Sequence, residues 1–270
     1  MSRNLLSIAS HEYAIAAILY LAFLVRQRRL FAILGRLLIG TGLLIHAVAL
    51  GGELAGQGGM PVGLAQGLST VVFLLLAIFF VLDLRYRIPV MGAFIAPAGV
   101  AVLFSALLIS GGAEPMPSAL RRPLLPVHIT IALVGIAAFA VAAGVALMYL
   151  LMERQMKGKH FGLLFSRLPS LKFLDQLNKQ LVLWGFVALS VTLITGVFFS
   201  SSSSGLFWQW SAKEIATLVA WVIFAALLSA RLFAGWQGRR VAVLTMAGFC
   251  VLLVSFLSAY DPNRHLGVFR

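Results

Sequence analysis

Residues 127–152 read VHITIALVGIAAFAVAAGVALMYLLM, a run without a single Asp, Glu, Lys or Arg. An α-helix rises about 1.5 Å per residue, so about 20 such residues cross the hydrocarbon layer of a bilayer. The run is apolar on every face rather than on alternate residues. That sets aside a membrane β-barrel, whose strands are ~10 residues of alternating polarity, and leaves a helix that satisfies its own backbone in lipid. Seven further predominantly apolar runs lie near 5–25, 33–51, 64–84, 89–111, 180–200, 212–232 and 240–260. The expected fold is therefore all-α, a polytopic transmembrane bundle of about eight spans.

Composition agrees. The chain is 61% hydrophobic and 11% charged, with a mean hydropathy of +1.01, whereas soluble domains carry roughly a quarter of their residues charged. The net charge of +13 would suggest nucleic acid in a soluble protein. Here its placement answers instead to membrane topology, and no nucleic-acid partner is expected. Fifteen of the 21 Lys and Arg lie in alternate loops: Arg26 to Arg36, Arg85 and Arg87, Arg154 to Lys179, and Arg231 to Arg240. Those loops are expected in the cytoplasm, which places both termini on the outer side. Met1–Val25 lacks a strong basic start, carries His11 and Glu12 and is followed by Arg26, Arg28 and Arg29, so it reads as a retained first helix rather than a signal peptide. Cys250 is the single cysteine, so there is no disulfide framework and no CxxC pair. The stretch 161–177, mixing Phe, Leu, Arg and Lys, is expected to lie as an amphipathic segment on the inner surface.

Polar side chains are costly in lipid, so those at the outer ends of the spans need reasons. His128 follows Arg121 and Arg122 at the outer start of the fifth span. Trp208 and Trp210, then Lys213 and Glu214, sit between the sixth and seventh. His265 lies beyond the eighth. Two neutral imidazoles can hold a haem iron from both faces. Indoles can stack on a porphyrin, and arginines such as Arg121 and Arg122 can pair with its propionates. Each part also has a simpler reading, as a headgroup-level histidine or an interfacial aromatic belt. His46 lies within the second span, where a helix–helix hydrogen bond is the alternative. Glu12 and His11 could form a proton or ion site, or serve only at the interface. Asp83, beside Arg85 and Arg87, reads as a charge at the inner boundary.

Over 125–270 the chain resembles the cytochrome c assembly proteins of the CcsA/ResC and HemX type; 1–124 matches more weakly, and the whole reads as a single transmembrane domain. The resemblance rests on Leu168-Pro169-Ser170-Leu171, Leu174-Asp175, Gly185-Phe186 and Thr195-Gly196. It continues through Gly205-Leu206-Phe207-Trp208-Gln209-Trp210-Ser211-Ala212-Lys213-Glu214, similar to the family's G-x-x-W-x-W-D-P-K-E. Leu218, Trp221, Arg231 and Gly235-Trp236-Gln237-Gly238-Arg239-Arg240 follow in register. It implies a protein of the bacterial cytoplasmic membrane, in cytochrome c biogenesis. It further implies a tryptophan-rich haem platform, with His128 and His265 as iron ligands and Glu214, Trp208 and Trp210 in the platform. His46 would match a membrane histidine of the full synthases. Other maturation proteins or apocytochrome c are the implied partners. Ser211 and Ala212 replace the motif's Asp and Pro, and Ser229 stands where the synthases carry a second membrane histidine, which suggests the shorter HemX-like branch. With neither thiol pair nor redox motif, the chain is not expected to act as an enzyme alone. The alternatives are a membrane scaffold acting through the basic 153–179 loop and a small-solute transporter. The sequence has no obvious repeat pair to favour the transporter.

Overall fold

The computed structural model describes residues 2–56, 63–109, 124–159, 162–204 and 210–260. In chain order these form α1 (Ser2–Arg26), α2 (Arg29–Gly56), α3 (Leu64–Tyr86), a 3-10 turn (Pro89–Met91), α4 (Gly92–Leu108), α5 (Leu124–Lys157), α6 (Leu163–Arg167), α7 (Leu171–Ser204), α8 (Ala212–Phe233) and α9 (Arg239–Ser258). No strand occurs among the described residues. Eight of the helices are long and apolar enough to cross a membrane; five-residue α6 is not.

Side-chain contacts show that the spans run alternately up and down. Arg3 near the start of α1 donates to the carbonyl of Leu107 at the end of α4, at 3.1 Å. Arg36 near the start of α2 meets Asp83 at the end of α3, at 2.9 Å. The Ser255 hydroxyl at the end of α9 lies 3.1 Å from the Lys213 carbonyl at the start of α8. The start of α1 and the end of α9 therefore share one face, called the far face below. The α1–α2 and α3–α4 turns share the opposite, basic face.

α1 packs along α2 and α4, α5 along α7 and α9, and α8 along α9, while α3 touches both α4 and α5 and so joins the two groups. Close approach comes from glycines that seat aromatic rings. A Cβ at Gly42 would stand 2.6 Å from the Tyr13 ring, and one at Gly185 would stand 3.0 Å from Phe139. Phe139 in turn stacks on Phe224 with ring centroids 3.8 Å apart and planes 17° from parallel. With lipid as apolar as leucine, such packing supplies much of the attraction between spans. Three turns on the basic face contain a left-handed residue other than glycine: Gln27, Arg87 and Lys159, with φ of 53°, 53° and 51°. Gln27 and Arg87 close their helices by donating backbone N–H to Phe23 and Asp83, each at 2.9 Å.

The segment 161–177 is not one amphipathic surface helix. Leu168 takes the extended conformation favoured before Pro169, which ends α6. α7 then starts at Leu171 rather than near 180. Leu174, Leu177 and Asn178 in its first turns are buried in the bundle, and the reason is the polar cluster described below.

If the glycine seats set the helix spacing, Gly185→Leu should cost about 1–3 kcal/mol through overpacking against Phe139. Gly51→Leu, where a Cβ meets nothing within 4 Å, should change little. Thermal unfolding in detergent, followed by loss of the monodisperse elution peak, separates the two.

Candidate functional site

The far-face ends of α5, α7, α8 and α9 are tied by hydroxyl groups. On α5, Nδ1 of half-buried His128 lies 2.6 Å from the Thr195 hydroxyl of α7. Which tautomer His128 takes decides the direction of the bond: with the Thr195 proton directed to the Val191 carbonyl at 2.8 Å, its oxygen accepts from Nδ1–H. In a neutral ring the lone pair then sits on Nε2, the form of histidine that ligates a metal. A Cβ at Gly196 would lie 3.5 Å from Cε1 of His128, in ordinary contact with the ring. The Thr195-Gly196 pair noticed in the sequence is thus the seat of His128.

One turn deeper, the Trp221 indole of α8 donates to Ser190 of α7 at 3.0 Å and stacks on Phe186 with centroids 5.5 Å apart. Thr217 of α8 and Ser255 of α9 lie 2.5 Å apart. The Lys213 carbonyl lies 2.7 and 3.1 Å from the two hydroxyls, so one of them donates to the carbonyl and the other to its neighbouring hydroxyl. The Lys213 ammonium lies within electrostatic reach of His128. The start of α8 is thereby fixed beside the histidine.

Ser211, standing at the family motif's aspartate position, is the N-cap of α8. Its hydroxyl accepts from the Glu214 N–H, and the Glu214 carboxylate accepts from the Ser211 N–H, each at 3.3 Å. Ser and Asp cap helix N-termini about equally well, so the exchange keeps the cap. The Glu214 carboxylate, a candidate ligand residue in the sequence, serves this capping box. Trp210, immediately before the cap, is 70% exposed and has a left-handed φ of 54°, which costs a non-glycine residue roughly 1–2 kcal/mol. Its indole therefore projects from a backbone held by the cap that follows. His128, Trp210, Lys213 and Glu214 share the far face; Trp208, His265, Arg121 and Arg122 lie outside the described residues.

His46 belongs to a different setting. It is fully buried, with Nε2 2.9 Å from the Ser69 hydroxyl and Nδ1 3.3 Å from that of Tyr13. Its ring stands edge-on to Phe73 at 5.4 Å. Both nitrogens are engaged in joining α1, α2 and α3. Ser69 is near the far-face start of α3, whereas Ser229 is exposed near the basic end of α8. The two positions do not share a level in the bundle.

Two buried ion pairs at the basic end were not anticipated. Asp83, read as a boundary charge, has no exposure and is held by Arg36. Arg231, 8% exposed, donates to Asp175 at 3.1 Å and to the Asn178 amide oxygen at 3.2 Å. Asp175 also accepts from the Gly238 N–H at 3.1 Å, Asn178 donates to the Ala142 carbonyl at 3.0 Å, and Thr245 donates to Asn178 at 3.3 Å. This network joins α5, α7, α8 and α9 and draws the start of α7 inward. Asp175 and Asn178, three apart, fall on one helical face. That was the available signal, but their partner lies far along the chain.

The family model described as "Cytochrome C assembly protein" matches residues 62–260. The cytochrome c biogenesis protein CcsA of Synechococcus sp. (strain CC9902) is 29% identical over 194 residues, covering 63% of this chain and 64% of that protein. CcsA of Guillardia theta is 27% identical over 195 residues, covering 65% of each. The chain thus spans just under two thirds of the length of these relatives. Among solved structures, the cytochrome c heme lyase CcmF superposes with a TM-score of 0.69 at 15% identity, over 97% of this chain and 47% of that one. At that identity the likeness is one of fold.

Removing one member of a buried pair strands the other, so Asp175→Leu should destabilise by about 3–5 kcal/mol, and Asp175→Leu/Arg231→Met by clearly less. Ser211→Ala should cost about 1 kcal/mol and Ser211→Asp almost nothing. Unfolding midpoints in detergent give both comparisons.

Proposed function

Because this chain belongs to the cytochrome c assembly protein family, we propose that it is a membrane component of cytochrome c biogenesis that binds or presents haem at its far face, taken as the outer one. The carrying observation is the His128–Thr195 hydrogen bond. It supports His128 as an iron ligand, since it orients the ring and leaves Nε2 as the donor nitrogen. His265 is the proposed opposite ligand, and Trp208 and Trp210 the stacking surface. Arg121, Arg122 and Lys213 supply positive charge for propionates. Haem bound there would contribute iron and a reactive porphyrin edge. The residues of this chain hold it, orient it and shield one face.

Two histidines, an exposed indole and basic side chains are a donor set that fits haem. The strained, capped Trp210 fits a group displayed toward an incoming partner. Apocytochrome c or other maturation proteins are the proposed partners, and the bacterial cytoplasmic membrane the proposed location. His46 is proposed as a packing histidine, because ligation would have to break both of its hydrogen bonds.

The purified protein, titrated with haem in detergent, should develop a Soret band. His128→Ala and His265→Ala should each shift or abolish it. Thr195→Val, which removes the partner of Nδ1, should weaken binding about 10- to 100-fold, as loss of a supporting hydrogen bond does at metal-bound histidines. His46→Gln should leave the band unchanged. Protein that stays colourless at saturating haem, or a band indifferent to both His128→Ala and His265→Ala, would sink this reading.

A further inference from the structure

The basic end of α1–α4 carries a feature that positive charge in cytoplasmic loops does not by itself require. Its exposed cations are Arg26, Arg28, Arg29, Arg85 and Arg87, with no lysine among them. Among the described residues, none of the five pairs with a carboxylate; Asp83 is committed to Arg36. The connections are short: two residues separate α1 from α2, and two separate α3 from the 3-10 turn. The backbones of Arg26, Arg28 and Arg29 are thus held within one turn, and those of Arg85 and Arg87 within the other.

Their positions follow from the buried pair. Arg29 precedes Arg36 by seven residues, almost two whole turns, and so shares its helical face. Arg87 follows Asp83 by four residues, the left-handed residue that closes α3. Arg29 and Arg87 thus flank the same α2–α3 seam, just beyond the Arg36–Asp83 bond. In the neighbouring turns of α2 and α3, Leu30, Val81 and Leu84 are 60%, 62% and 52% exposed, an apolar surface suited to acyl chains. A cluster of planar, forked donors matches phosphate oxygens two at a time, which the point charge of lysine does not. Apolar shoulders next to it distinguish an amphiphile from a free ion.

We propose that the basic end of the α2–α3 seam binds an anionic phospholipid, its phosphate held by Arg29 and Arg87 and its chains lying along Leu30 and Val81. The site is separate from the far-face residues and independent of the haem reading. The test is native mass spectrometry of the full chain in detergent, titrated with cardiolipin or with phosphatidylcholine of the same acyl chains. Cardiolipin should be retained about tenfold better. Arg29→Lys/Arg87→Lys keeps the charge and the topology, and should remove most of that preference, about fivefold or more. Lys157→Gln/Lys159→Gln at the end of α5 should leave it intact, and millimolar inorganic phosphate should not displace the lipid. Equal retention of the two lipids, full retention by the Arg→Lys pair, loss in the Lys→Gln pair or displacement by phosphate would each overturn the proposal. An unchanged unfolding midpoint for the Arg→Lys variant keeps a folding defect from imitating the result.

Discussion

Inside a bilayer no water is at hand to satisfy a polar side chain, so each one must find its partner on its own helix or a neighbouring one. The arrangement of this bundle follows from how that is met. At the far face, His128 meets Thr195, Trp221 meets Ser190, and Thr217 and Ser255 converge on the Lys213 carbonyl. At the basic face, Arg36 meets Asp83, and Arg231 meets Asp175 and Asn178. In the first group of helices, His46 meets Ser69 and Tyr13. Glycine seats bring the helices close; these bonds set their register.

The bonds differ in what they leave behind. The His46 contacts use both ring nitrogens and end in packing. The Arg231 network is a clamp: it joins four helices through groups that all point inward. The His128–Thr195 contact is made through Nδ1 and sets the orientation of the ring. Such a bond supports the bundle and fixes the ring, which is why His128 carries the proposed function. The capping box at Ser211 plays a related part for Trp210, because it fixes the helix start from which the indole projects.

The spans were legible because apolar run length is a direct consequence of bilayer thickness, and 127–152 is as plain a case as the chain offers. The start of α7 was not. The residues from Leu171 to Lys179 carry charges that read as surface, and only the distant Arg231 explains why Asp175 and Asn178 turn inward. The pairing of Asp83 was missed for the same reason: its partner, Arg36, is a span away. Within the site, His128, Trp210 and Glu214 were visible as unusual polar or aromatic residues at span ends. Thr195-Gly196 was visible only as a motif, and its physical role emerged once α5 lay against α7. The Ser211 exchange looked like a loss from the motif; as an N-cap it is nearly neutral.

The proposed function puts most weight on His128, which, oriented by Thr195, would hold haem iron. Electron paramagnetic resonance of the oxidised, haem-loaded protein tests it most directly. The account predicts a low-spin ferric signal of two imidazole ligands that converts to high-spin in His128→Ala. A low-spin signal unchanged by His128→Ala would contradict it.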